Sequence, residues 1–333
     1  MLPEILPLPQ IPDGLREAQQ TRGLVPFIGA GVSRLAGCPD WTAFADGALD
    51  QMIRARCLNH SQVEQLKNLT PRVKLSIARA VSKGATSVEF GKILHQGEWQ
   101  KHEDGRRVYA AIGKLAHQFV TTNYDEWLDI DLSTPDVSLS GELPKASQSS
   151  ARSRHPFYRH QDFTPNVLSI EGAVVHLHGS VRDPSTMILT QQDYVSHYAN
   201  DRQLGIAPER ENRVLTFLDH LFRNRSVLFL GYGLEELEIL EYVILKGGHK
   251  NIDPSLAPRH FVLQGFFNHQ GELMRHMQQY YQVECGLLLI PFSRDDNNYG
   301  QLINVLETWA TNLPASKPLV LQQLKEMENL LDD

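Results

Sequence analysis

Residues 24–33, LVPFIGAGVS, join an apolar strand-like run directly to a glycine turn. A strand apolar on both faces must be covered on both sides, which suits the interior of a parallel sheet packed between helices. The pattern recurs along the chain. Gln118–Thr122 runs into Asn123, Ala173–Leu177 into His178 and Gly179, and Ser226–Leu230 into Gly231. His260–Leu263 and Gly286–Ile290 are further strand candidates.

Helical spacing fills the intervals. Gly14–Arg22, a segment opened by Asp40 that carries Trp41, Phe44, Leu49 and Met52, and most of 59–107 read as helices, with breaks at Pro71, Gly84 and Gly97. Val214–Phe222, Leu234–Leu245, Gln270–Tyr281, Gln301–Thr311 and Leu319–Leu331 follow the same period. Strands alternating with helices predict an α/β fold: a Rossmann-like, mostly parallel sheet with an inserted or flanking helical region. The expected division is an N-terminal extension over 1–20, a main domain over 21–310 and a helical tail over 311–333. Within the main domain, 59–117 forms a helical subdomain and 133–166 a loop-rich insertion, rich in Ser and Pro and carrying Arg152, Arg154, His155, Arg159 and His160.

Bulk composition narrows the function. The 333 residues carry 32 Lys plus Arg against 39 Asp plus Glu, so a strongly basic nucleic-acid module is not expected. Cys38, Cys57 and Cys285 lie far apart with no CxxC, which excludes a cysteine-rich zinc module or a disulfide scaffold and suits a reducing cytosol. The proline-broken N-terminus does not read as a secretory signal, and the apolar run Leu287–Phe292 is far short of the roughly 20 residues of a membrane helix. The expected location is cytoplasmic, away from membranes.

Chemistry-bearing residues gather at the strand ends, where open α/β sheets bind ligands. Gly29, Ala30, Gly31 and Ser33 form either a structural turn or a backbone cradle for an anion. Neither a full GxGxxG nor a GxxxxGK[ST] pattern is present, Arg34 standing where the first would continue. Asn123 suits the holding of a ribose hydroxyl or a water, and Asp125 the orienting of a hydroxyl or a His or the stabilising of developing positive charge; the alternative for the pair is an Asx turn. His176 and His178 alternate across Leu177, so both face one side of an extended strand. No cysteine nearby completes a metal site, and none is expected. His178, at the step from strand to glycine, is the catalytic candidate; His176 is expected to be packed or hydrogen-bonded. Gly231 and Gly233 offer a second backbone approach, with Tyr232 placed to pack on a ring and Glu235 or Glu236 either on ribose or at the surface.

In order, GAGVS at 29–33, GCPDW at 37–41, TTNYD at 121–125, HLHGS at 176–180 and FLGYG at 229–233 resemble the sirtuin fold. More narrowly they resemble the sirtuin-like NAD hydrolases of bacterial antiphage defence. The resemblance implies NAD as substrate with no further cofactor. Gly29, Ala30, Gly31 and Ser33 would face its phosphates, and Gly231 and Gly233 its adenosine side. Asn123, Asp125 and His178 would be catalytic, with Ser180 supporting the loop. Protein deacylases of the wider family carry a four-Cys zinc module after the catalytic His, whereas only Cys285 follows His178 here. The expected reaction is hydrolysis of NAD to nicotinamide and ADP-ribose, in an abortive-infection response that depletes NAD. NAD-dependent deacylation and non-catalytic sensing of NAD or ADP-ribose are the alternatives. Such an activity needs restraint, so the resemblance also implies a homo-oligomer or a HerA-type ATPase, Argonaute-like or other phage-sensing partner. The 133–166 segment and the C-terminal helix are candidate contacts.

Overall fold

A computed structural model describes residues 5–82, 87–95, 97–133, 153–198, 212–232 and 260–313. Among the described residues, seven strands form one sheet: β1 (Leu24–Ile28), β2 (Phe119–Thr121), β3 (His155–Phe157), β4 (Ala173–His176), β5 (Ser226–Leu230), β6 (His260–Phe266) and β7 (Leu287–Ser293). Their order is β3-β4-β2-β1-β5-β6-β7, and every pairing between them is parallel. The α/β, Rossmann-like reading holds.

The strand period of two divides the core into two layers. Val25 and Phe27 of β1, with Val227 and Phe229 of β5, face one apolar cluster. Helices α8 (Gln191–Tyr198), α9 (Arg213–Asn224) and α10 (Gly271–Tyr280) contribute to that cluster. Leu24, Ile28, Leu228 and Leu230 face the opposite cluster. It is covered by α1 (Asp13–Gln20), α2 (Ala30–Leu35), α7 (Glu103–Leu115) and α11 (Gln301–Asn312). Burial on both faces is why these strands are continuous apolar runs.

A third apolar cluster lies apart from the sheet. It is built from α3 (Trp41–Arg54), α4 (His60–Leu66), α5 (Pro71–Val81) and α6 (Phe90–Leu94). Asp40 caps α3, its carboxylate accepting from the Ala43 N–H at 2.8 Å, and Pro71 starts α5 at the one helical turn where a missing N–H costs nothing. This helical cap begins at α3, while α7 packs on the sheet. It meets the sheet through Tyr124, Met187 and Leu189.

Three elements differ from the sequence expectation. Gly29–Ser33 is not only a turn: Gly29 is the N-cap of α2 and the other four residues lie in it. The insertion contains β3, whose Pro156 sits on an edge strand, where a lost ladder donor is tolerated. β6 and β7 run to Phe266 and Ser293, Pro291 being tolerated on the other edge. The expected helices over 234–245 and 319–331 lie outside the described residues. Among the described residues, no helix is long and apolar enough to cross a membrane.

Candidate functional site

The chain winds outward from β1 to β2 and β4, then returns to place β5 on β1's other side. That reversal makes the carboxyl ends of β1 and β5 the switch point at which open α/β sheets form a crevice.

Backbone meets backbone at this edge. The Gly29 N–H donates to the Leu230 carbonyl and the Gly31 N–H to the Gly231 carbonyl, each at 2.8 Å. A Cβ on Gly31 would stand 2.7 Å from the Gly231 oxygen. Gly231 itself has φ +70, a conformation glycine adopts without strain. The glycines at 29, 31 and 231 are therefore required by the meeting of two turns. Tyr232 lies beneath Gly29, edge-on to Phe27 and Phe229, with its hydroxyl 3.0 Å from Thr122 Oγ1. Its ring is part of the core. Gly233, Glu235 and Glu236 lie outside the described residues.

Polar side chains occupy the β2–β4 end. Asn123 Nδ2 donates to the Gly29 carbonyl at 2.9 Å, and the Asn123 N–H donates to Thr121 Oγ1 at 2.9 Å. Asp125 accepts from the Ser33 hydroxyl at 2.5 Å and from the Trp127 N–H at 3.2 Å. Ser33 also lies 3.3 Å from the Tyr109 hydroxyl, whose ring stacks on Trp127. Burial, then the charge of Asp125, keeps the Tyr109 phenol protonated and pushes the neighbouring Cys38 thiol up, so Cys38 is no nucleophile here. Two bonds thus tie the glycine turn to the TTNYD turn: Asn123 to Gly29 and Asp125 to Ser33. Tyr124 turns the other way, into the helical cap, between Trp41 and Phe44, with its hydroxyl donating to the Ile188 carbonyl at 2.7 Å.

The β2–β4 register pairs Thr121 with His176, so Asn123 and His178 each lie two residues beyond a paired position on neighbouring strands. His178 Nε2 is 2.8 Å from the Tyr198 hydroxyl. Burial, helped by His197 and Arg72, lowers the His178 pKa to about 3. The ring is therefore neutral, and in this buried setting it holds a second proton only weakly. The His197 ring, 6.1 Å from that of His178, is likewise pushed down to about 4 by burial and His160. His197 lines a cleft of about 420 Å³ together with Arg79, His160, Met187 and Ser196. After His178 the chain reverses at Gly179, φ +83, where any Cβ would strike the Thr186 carbonyl. Ser180 is fully buried and accepts from the Arg182 N–H, a supporting position in the loop.

His176, expected to be packed, is fully buried and held at both nitrogens: Nε2 is 2.8 Å from Asp129 Oδ1 and Nδ1 is 3.1 Å from the Asn123 carbonyl. Arg182 Nε donates to the other Asp129 oxygen at 2.7 Å. The carboxylate that holds a histidine is thus Asp129, not Asp125. Sequence reasoning missed Asp129, Arg182, Tyr109, Tyr198 and His197. Each reaches the site through tertiary packing, and none lies in a recurring motif. Among the described residues, no group of three or more His, Cys, Asp or Glu is placed to hold a metal ion.

The profile of a family described as a SIR2-like domain matches residues 117–290, just over half of the chain. No curated protein matches it. The matched span runs from β2 through β6 and most of β7, and so contains the TTNYD, HLHGS and FLGYG turns.

Proposed function

Since the chain belongs to the family of SIR2-like domains, whose members use NAD, we propose that it is an NAD glycohydrolase, releasing nicotinamide and ADP-ribose. The carrying observation is the pair of hydrogen bonds that join the glycine turn to the TTNYD turn at the switch-point crevice, with His178 on the adjoining strand. In this reading the bond between the nicotinamide nitrogen and ribose C1′ breaks. Its electron pair leaves with nicotinamide, and C1′ takes on oxocarbenium character. Water adds at C1′, and its proton passes to solvent through a ribose hydroxyl that the neutral His178 ring orients, the ring relaying the proton without retaining it. Asn123 orients the water or ribose, and Asp125 fixes the first turn of α2 through Ser33. The Gly29 and Gly31 amides are already engaged with β5. Their contribution is the close backbone approach that leaves no side chain over the phosphates, with Ala30 and Ser33 beside them and Gly231 towards adenosine.

A hydrolase of this kind would drain the cell that makes it. We infer cytoplasmic action, restraint by oligomerisation or by a partner such as a HerA-type ATPase or an Argonaute-like protein, and release during phage infection.

The test is incubation of the purified chain with NAD, alone and with its genomic neighbour. Nicotinamide and ADP-ribose should appear in equal amounts and disappear in Asn123→Ala and His178→Ala. Undiminished products in both variants would overturn the residue roles. Nicotinamide release that strictly requires an acyl-lysine peptide would replace hydrolysis with deacylation, and NAD retained without turnover would make the chain a sensor.

A further inference from the structure

The proposed reaction leaves His176 without a task, although it is the most enclosed titratable side chain at the carboxyl edge. Its two ring nitrogens face the Asp129 carboxylate and the Asn123 main-chain carbonyl, and both of these are acceptors. A neutral imidazole carries one N–H. In a position without solvent contact, it would turn a bare lone pair onto one of those oxygens, with no water to relieve it. Asp129 is not the donor, because its second oxygen accepts from Arg182 at 2.7 Å, which favours the carboxylate.

We propose that His176 is a positioning residue that works as an imidazolium, bridging Asp129 to the Asn123 carbonyl and so fixing Asn123 against the ribose. This rests on the role given to Asn123 above. Asn123 is then held by its N–H to Thr121, its side-chain amide to Gly29 and to the Tyr109 phenol, and its carbonyl to His176. Only the last depends on a proton that can leave.

Burial by itself drives the ring towards neutrality. Asp129, through charge and hydrogen bond, then the Asn123 carbonyl and Asp125, outweigh it and move the pKa of His176 upward. The other charged groups around the bridge are Glu126 on the loop after β2, Arg182 after β4, and Arg154 ahead of β3, which faces Asp129. Since the folded pKa is raised, the bridge is complete below the ordinary histidine range and is lost as pH rises through the folded value. Activity should therefore fall on the alkaline side.

Two measurements decide it. In the full chain labelled with ¹⁵N-histidine, long-range proton–nitrogen correlation at neutral pH should give both His176 nitrogens as protonated. The resonance is assigned by its loss in His176→Gln, or, if that variant does not fold, by its displacement in Arg182→Gln, where the replaced side chain is about one-third exposed. One protonated and one bare nitrogen would overturn the proposal. The pH profile of nicotinamide release supplies the second readout. Asp129→Asn removes the counter-charge and should move the alkaline limb down by about one unit or more; Arg182→Gln removes a competing cation and should move it up. In both, kcat should change more than KM. A limb unmoved in both variants would reduce His176 to a structural residue. A wild-type chain that releases no nicotinamide under any condition would defeat the hydrolase reading instead, and the nitrogen spectrum would still decide the charge of His176.

Discussion

At the β1–β5 end of the crevice, two glycine turns hold each other through main-chain atoms, with Tyr232 wedged beneath them. At the β2–β4 end, which begins on the strand next to β1, polar side chains make the connections: Asn123, Asp125, His176, Asp129 and Arg182. The first half tolerates no added atom, and the second tolerates no missing donor. A glycine-rich motif and a polar motif at the same sheet edge therefore fail in different ways when altered. Shape protects one half, and proton inventory protects the other.

The largest separation should come from the polar half. Asn123→Ala and His178→Ala are expected to cut NAD cleavage about 10³-fold or more while the chain stays folded, measured as nicotinamide release beside a thermal melt. Loss of fold before loss of activity would erase the distinction. Gly31→Val should do the reverse. Its side chain meets the Gly231 carbonyl, which does not yield, and a cost of about 3 kcal/mol should appear as a lowered denaturation midpoint. Retention of wild-type stability would mean that the two turns can separate.

Ser33→Ala probes the seam between the halves. It removes the hydroxyl donor from Asp125, leaving that buried carboxylate with the Trp127 N–H, and about 2 kcal/mol of stability should go with it. Acid should weaken the polar half selectively. His178 and His197 have lowered pKa values when folded, so the unfolded chain binds more protons below the ordinary histidine range. Their contribution is whole above about pH 6.5 and is lost as pH falls, by about 1 kcal/mol per pH unit for each group in urea titrations. A His178→Gln, His197→Gln double variant should flatten that dependence. In the helical cap, Lys67→Ala breaks an exposed pair with Glu64, and less than about 0.5 kcal/mol is expected. A larger effect there would show that stability changes are not confined to the crevice.

Much of the fold was legible because strands buried on both faces must be apolar throughout. Ser226–Leu230 coincides with β5, and Leu24–Ile28 and Phe119–Thr121 begin and end within the predicted runs. β3 was not legible: His155-Pro156-Phe157 is short and lies on an edge, so it carries neither the length nor the apolar character of an interior strand. The start of α2 was hidden because glycines next to a strand announce a turn, and Gly29 is at once the turn and the helix cap. In the site, Asn123, Asp125 and His178 stood out by their place at strand ends. The ion-pair chain behind them did not, since Asp129 and Arg182 sit 53 residues apart with no shared pattern.

The sequence alone determined where strands stop and which polar or glycine residues follow, because local burial and backbone freedom are written residue by residue. Tertiary structure decided which of those ends meet and which carboxylate serves which histidine. Strand order and register bring distant residues to within hydrogen-bonding distance, and in that water-poor space the partner a titratable group meets, rather than its identity, sets its charge.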